Sequence, residues 1–323
     1  MRRILVVAPN WIGDALMAQP LLARVRARHP QARLEALGPP WVAPVLRRMP
    51  ELDEVIEADF RHGALQLAER WRLGRALRAR GYDLALVLPN SWKSALVPFF
   101  AAIPVRAGYT GEARYGLLNR RYRARGAPMA EHYAALADAA GAAAAEPLPL
   151  PRLRAEPAGM ARAARRFGIA GDYCVLCPGA EYGPAKRWPY FAELAPRLPV
   201  PAVLLGSARD ADACAGIAGL NLAGRTTLDE AMDLIAGARF VVANDSGLMH
   251  VAAAFGRPLV AIFGSSSPEH TPPRSDNARV LWLRLECSPC FARVCPLGHL
   301  RCLREISVER VLAELENQGQ ARV

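Results

Sequence analysis

Lysine is almost absent from this chain. Of its 41 Lys and Arg residues only Lys93 and Lys186 are lysine, so 39 are arginine. Against that bias, a retained lysine marks a place that needs a compact ammonium rather than a planar guanidinium. Aromatic residues are sparse, at 7%, and no nucleic-acid-binding module is recognisable. Nucleic acid therefore ranks last among the anionic partners that the charge suggests. No apolar run reaches 18 residues, so no membrane span is expected. The apolar stretch 4–9 is too short for a secretory signal, and Asn10, Gly13 and Asp14 interrupt it. Seven cysteines, an odd number, fit a reducing compartment better than a disulfide framework, and a cytoplasmic location is expected. The G-x-G-x-x-G fingerprint is missing as well, which counts against a dinucleotide-dependent oxidoreductase.

What is present describes a globular protein with ample core: 323 residues, 52% hydrophobic, 22% charged. That length suggests two domains. The net charge of +11 points to partners bearing phosphates or carboxylates, such as anionic head groups or acidic sugars. Short apolar runs at 4–8, 33–37, 55–58 and 83–88 alternate with helical patterns, as parallel strands with crossover helices do. Residues 94–105 read as a buried helix broken by Pro98 and Pro104, and 129–145 as an Ala-rich helix. The stretch 146–157 holds Pro147, Pro149, Pro151 and Pro157 and reads as a linker. The alternation restarts after it, with strands at 173–177, 202–205, 221–223, 240–243 and 259–263. The expected architecture is α/β, with two Rossmann-like domains, 1–157 and 158–323, facing across a cleft.

The sharpest local signal is Asn244-Asp245-Ser246-Gly247-Leu248-Met249-His250, between a buried strand and a short helix. The carboxyl end of a parallel strand is where open α/β sheets bind ligands, and the free N–H groups of the following helix attract phosphate. His250, in the first helical turn, is expected to be neutral because the helix dipole disfavours imidazolium. Lys186, in the loop 178–186, supplies a full positive charge for a leaving diphosphate. Asp14, at the carboxyl edge of the first strand, is either a helix N-cap or a general base. Thr226 and Thr227 precede a helix as caps or nucleotide contacts. Arg114, Arg120, Arg121, Arg123 and Arg125 form either a solvated cluster or an anion-binding lobe.

Taken together these segments resemble the heptosyltransferases of lipopolysaccharide core assembly, inverting glycosyltransferases of the two-Rossmann-domain (GT-B) fold. The segments are Pro9-Asn10-Trp11-Ile12-Gly13-Asp14, 88–95, 108–119, 178–189 and 244–250. The first and fourth are most like the branch that adds the second heptose. The resemblance implies transfer from ADP-L-glycero-D-manno-heptose to the first heptose of the inner core, with no cofactor or metal required. It implies that Asp14 is the base and Lys186 the donor-phosphate lysine. Asp245, Ser246, Gly247 and His250 would hold the donor, with Glu181, Tyr182 and Thr226 at further donor-contact positions. Asn10, Lys93, Arg114 and Arg120 are acceptor candidates. The domain 1–157 would bind acceptor and 158–323 donor, in a monomer that touches the inner-membrane surface. Alternatives are the branches that add the first or third heptose, a nucleotide-dependent oxidoreductase, and a non-catalytic nucleotide-sugar-binding module.

Cys287, Cys290, Cys295 and Cys302 could supply four thiolates to a structural zinc, with His299 among them. Unligated thiols in a packed loop are the alternative. Cys174, Cys177 and Cys214 read as core residues.

Overall fold

In the computed structural model, residues 1–61, 63–124, 126, 128–142 and 147–319 are described. Arg125 of the arginine cluster, Glu146 of the Pro-rich stretch and 143–145 of the alanine tract lie outside the described residues. The chain divides into two compact units, Met1–Pro151 and Arg152–Val323.

The first unit is built on β1 (Arg3–Val7), β2 (Arg33–Gly38), β3 (Glu54–Glu57), β4 (Leu84–Val87), β5 (Val105–Tyr109) and β6 (Arg120–Tyr122). All pair in parallel, in the order β3-β2-β1-β4-β5-β6. β4 is buried along its whole length and β1 beyond its first residue, because helices cover both faces of a parallel sheet. Leu5, Val7, Ala85 and Val87 pack with Ala95, Val97 and Leu118 in the core of this unit. Two strands of this unit escaped the sequence reading, as did Ala278–Leu281 in the second unit. Residues 94–105 are not one helix: a 3-10 turn at Trp92–Ala95 runs into a short helix, Leu96–Phe100, and Val105 opens β5. Arg120 and Arg121 belong to β6, whose charge hides the strand signal.

The second unit repeats the plan with β7 (Cys174–Cys177), β8 (Ala202–Leu204), β9 (Leu220–Asn221), β10 (Val241–Asn244), β11 (Leu259–Ile262) and β12 (Ala278–Leu281). These are again all parallel, in the order β12-β11-β10-β7-β8-β9. Numbered within its own unit, each sheet has the 3-2-1-4-5-6 order of a Rossmann fold, with a switch point between its first and fourth strands. Trp188, Phe191, Phe240 and Leu303 fill one core of this unit, and Trp188 Nε1 donates to the Ile306 carbonyl at 2.8 Å. The amphipathic helix Val308–Asn317, capped by Ser307, buries Val308, Val311 and Leu315.

Helix Leu67–Arg78 crosses Leu96–Phe100 at Gly74, where a Cβ would lie 2.5 Å from Phe100 Cβ and 2.9 Å from the Val97 carbonyl oxygen. Only glycine allows this approach. Gly74→Ala gains helix propensity of about 1 kcal/mol, yet is expected to lose about 1–3 kcal/mol overall through overpacking. A melting temperature equal to or above wild type in a thermal-shift measurement would contradict the close contact.

Candidate active site

Each switch point carries one constellation, and the residues expected from the sequence divide between them. In the second unit, the loop after β7 and the turn after β10 meet at the carboxyl edge of the sheet. Lys186 ends a 3-10 turn, Pro184–Lys186, and its Nζ lies 2.5 Å from Asp245 Oδ2. Ser266 Oγ donates to the same carboxylate oxygen, also at 2.5 Å. Asp245 and Ser266 are buried and Lys186 half-buried. Two charge-assisted bonds on one oxygen fix where the ammonium sits. The Tyr182 ring also flanks Nζ, 4.9 Å from its centroid.

Ser246 is the N-cap residue of helix Gly247–Ala254, but its side chain does not cap it. Its Oγ is buried with no partner, and so is that of Ser265 in the loop after β11. The first N–H groups of that helix have no intrahelical acceptors. Two orphaned hydroxyls, free N–H groups and an ammonium at one strand edge form an anion site. His250 is buried, and burial, with Lys186 adding to it, pushes its imidazole down to about 4 against the pull of Asp245. It is therefore neutral at pH 7, as the sequence suggested.

Other donor-side candidates are more peripheral. Glu181 is exposed and paired with Arg209 at 2.9 Å. Tyr182 Oη donates to the Phe291 carbonyl at 2.5 Å. Thr226 is half-buried beside Thr227, which forms the capping box of helix Leu228–Gly237 with Glu230.

In the first unit, Trp11, not Asp14, is the N-cap residue of helix Ile12–Met17. Asp14 lies half-buried in the first turn, near enough to Tyr133 to help raise its phenol, whose shift comes mainly from burial. The backbone carbonyl of exposed Asn10 accepts from Trp41 Nε1 at 2.8 Å. Lys93 Nζ reaches the Ala64 carbonyl at 3.4 Å. Arg120 is exposed on β6, with Asp138 at 3.9 Å. Arg114 differs from its expected role. It is 2% exposed, and its guanidinium donates to the Pro89 carbonyl at 2.7 Å and to the Tyr109 carbonyl. Its two terminal nitrogens tie the loop after β4 to the end of β5, while its buried Nε has no acceptor among the described residues.

Cys287, Cys290, Cys295 and Cys302 are free thiols. Burial and the other three cysteines push Cys302 up to about 11, whereas backbone N–H groups, chiefly that of Leu300, lower Cys295. Among the described residues no three His, Cys, Asp or Glu side chains are grouped to hold a metal ion. The segment contacts the loop that carries Lys186 and the loop after β11. Ala185 N donates to the Arg293 carbonyl at 3.1 Å, and Phe291 N to the Ser265 carbonyl at 2.7 Å.

Sequence reasoning missed Ser265 and Ser266, and gave Asn244 a place in the motif but no role of its own. Ser265 and Ser266 lie far along the chain from the turn they complete. Asn244 is fully buried: its Oδ1 accepts from Trp188 N at 3.0 Å and its Nδ2 donates to the Pro178 carbonyl at 2.7 Å. One amide thus holds both ends of the loop that carries Lys186. A polar residue closing an apolar strand was the only available signal.

The profile of glycosyltransferase family 9 (heptosyltransferase) matches residues 70–301, and the chain belongs to that family. It is 45% identical to the lipopolysaccharide heptosyltransferase 2 of Escherichia coli K12, over 97% of each chain. It is 43% identical to the lipooligosaccharide heptosyltransferase 2 of Haemophilus influenzae, over 87% of this chain and 88% of that one. The solved structure of the E. coli ADP-heptose lps heptosyltransferase II superposes with a TM-score of 0.86 at 42% identity, covering 98% of both chains.

Two outcomes follow from this geometry. Asn244→Ala strands a buried N–H and a buried carbonyl, and is expected to cost about 2–3 kcal/mol and to weaken ADP binding. Unchanged melting temperature and ADP affinity would refute the brace. His250 binds protons less readily folded than unfolded, so its contribution to stability is intact above pH 6.5 and falls as the pH drops towards 4. Urea midpoints between pH 7.5 and 4.5 should show a wild-type loss of up to roughly 3 kcal/mol that His250→Gln lacks. Parallel pH slopes would contradict a buried neutral imidazole.

Proposed function

We propose that the chain transfers L-glycero-D-manno-heptose from ADP-heptose to the first heptose of the lipopolysaccharide inner core, with inversion. The observation that carries the reading is the Lys186–Asp245–Ser266 constellation beside the open end of helix Gly247–Ala254. The names of the 43–45% identical relatives support it. In this reading the second unit holds the donor and the first the acceptor. Asp14 takes the proton of the acceptor hydroxyl, and that oxygen forms the new bond to the anomeric carbon. The bond from that carbon to the phosphate oxygen breaks, and its electron pair leaves on ADP. Lys186 and the free N–H groups meet the growing negative charge, so the reading invokes no metal. Asp245 keeps the ammonium in place, and neutral His250 adds no competing charge. Every group named comes from one chain, so a monomer suffices. No helix among the described residues is long and apolar enough to cross a membrane. The chain would therefore reach a lipid-borne acceptor from the bilayer surface, on the cytoplasmic side.

The test is transfer from ADP-heptose to core acceptors truncated at successive sugars. An acceptor ending in one heptose should be used and a heptose-free acceptor should not; the reverse would overturn the assignment. Asp14→Asn should lower kcat by about 10²–10⁴-fold with ADP affinity nearly intact. Lys186→Ala should weaken ADP binding as well as turnover. Full turnover in Asp14→Asn would remove the base from the scheme.

A further inference from the structure

The reaction scheme gives no task to the cysteine-bearing segment 285–304, yet that segment packs against both loops of the anion site. Between Cys290 and Cys295, Phe291 N donates to the Ser265 carbonyl at 2.7 Å and the Arg293 carbonyl accepts from Ala185 N at 3.1 Å. The Phe291 carbonyl also accepts from Tyr182 Oη at 2.5 Å, and the Arg293 guanidinium lies over the same ring at 5.0 Å. Ser288 Oγ donates to the Gly264 carbonyl at 2.6 Å. A Cβ on Gly183 would meet the Arg293 carbonyl oxygen at 2.5 Å, and one on Gly264 would meet the Leu303 side chain at 2.6 Å. Packing this close transmits strain, so a covalent change in the segment is felt beside Lys186 and Ser265.

Four thiols are concentrated here, and their surroundings differ. The backbone N–H groups of Leu300, Leu297, Gly298 and His299 all donate to Cys295 Sγ. Leu300, left-handed at φ 52°, is the N-cap residue of the short helix Arg301–Arg304. Hydrogen bonds to sulfur favour the thiolate. Charge acts in the same direction, with Arg293, Arg301 and Arg304 against Glu286 alone between 285 and 304. Cys295 is only half-buried, so a small reagent reaches it. Cys302, on that helix, is buried and protonated, and the charges of Cys287, Cys290 and Cys295 all bear on it. The sulfurs are thus neighbours, although no three of them are grouped to hold a metal ion. A thiolate beside a protonated thiol is the pair that oxidation to a disulfide uses.

We propose that Cys295 and Cys302 form an oxidative modification site, where a hydroperoxide joins them as a disulfide and so shifts the two loops that hold the anion. The Cys295 sulfur attacks one peroxide oxygen and the O–O bond breaks. The departing hydroxide or alkoxide takes a proton from solvent. The Cys302 sulfur then attacks the sulfenic acid on Cys295. The S–O bond breaks, and its oxygen leaves as water with the Cys302 proton. The two sulfurs together lose two electrons, and the peroxide gains them. The disulfide is independent of the function proposed above, and only its effect on ADP rests on that reading.

The test treats the reduced full chain with stoichiometric hydrogen peroxide and maps the thiols by alkylation and peptide mass spectrometry. A cross-linked Cys295–Cys302 peptide should form first, with Cys174, Cys177 and Cys214 still reduced. In C302S the sulfenic acid on Cys295 should persist and be captured by dimedone. C295S should be oxidised about tenfold more slowly. Oxidised wild type should bind ADP about tenfold more weakly and recover on reduction, whereas peroxide should leave C295S unchanged. Thermal shifts establish that both variants fold, and the wild-type map stands without them. A first disulfide elsewhere, or a Cys295 no more reactive than Cys290, would overturn the proposal. So would a stoichiometric metal ion released from the untreated chain by a thiol-blocking reagent, because the sulfurs would then be ligands. Equal ADP affinity in the oxidised and reduced chains would refute the coupling to the loops. Failure of the functional reading is separable: neither form would then bind ADP, while the peptide map still decides the disulfide.

Discussion

Asp245 accepts hydrogen bonds from Lys186 and Ser266 on a single carboxylate oxygen, and the rest of the geometry at the end of β10 depends on that arrangement. A lysine with four rotatable bonds is a poor instrument for placing charge unless something holds its end. The carboxylate does so, and it is itself held from the loop after β11 by a hydroxyl. Asn244, one residue earlier, fixes the loop that carries the lysine. Two adjacent side chains at the end of β10 therefore control both the backbone and the head group of Lys186. A bare ammonium would be available to any anion. One already paired must be drawn partly away, which favours a ligand carrying as much charge as a diphosphate.

The first sheet uses charge differently at its two edges. At the amino edge, Glu35 is fully buried and accepts from Arg33, Arg80 and Tyr82, while Glu54 pairs with both arginines. That network is closed, and its value is structural: removing one partner would leave a buried charge uncompensated. At the carboxyl edge, buried Arg114 gives its two terminal nitrogens to backbone carbonyls. Arg61 and Arg123 are left to solvent. The division follows the topology. Loops at the carboxyl edge leave the switch point open, so charge there is free to meet a ligand or a surface.

Much of the fold was legible because parallel strands buried on both faces leave continuous apolar runs. β1, β4, β7, β10 and β11 all announce themselves in that way. β5, β6 and β12 did not. Pro104 and an arginine-rich stretch masked the first two, and edge strands such as β6 and β12 are short and have one neighbour. The two anchors of the site, Lys186 and Asp245, could be named from the sequence because one stood out against an arginine bias and the other sat in a capping turn. Ser265, Ser266 and the backbone contacts of 291–293 could not. Their role comes from pairings between β11, the cysteine-bearing segment and the donor loop, and no local pattern encodes those.

Arg114 and Trp11 show why composition misleads at such an edge. Charge suggested that Arg114 would reach outward to an acceptor, and it is buried. Hydrophobicity would place Trp11 and Trp92 inside, and both are exposed. The inversion is consistent once the loops are considered as a rim. A rim that presents apolar rings to its surroundings needs stiff support from behind, and a guanidinium with several donors can cross-link neighbouring loops where an apolar side chain could only fill space. The loop after β5 bears this out: Glu112 and Ala113 adopt left-handed backbone conformations, which persist only where surrounding bonds over-determine them. The bonds there include Arg114 N to the Gly111 carbonyl at 3.3 Å, Tyr115 N to the Ala113 carbonyl at 2.8 Å and Trp92 N to Glu112 Oε2 at 2.9 Å. The buried charge and the exposed rings thus stand side by side on the same loops, with the arginine tying two of them together.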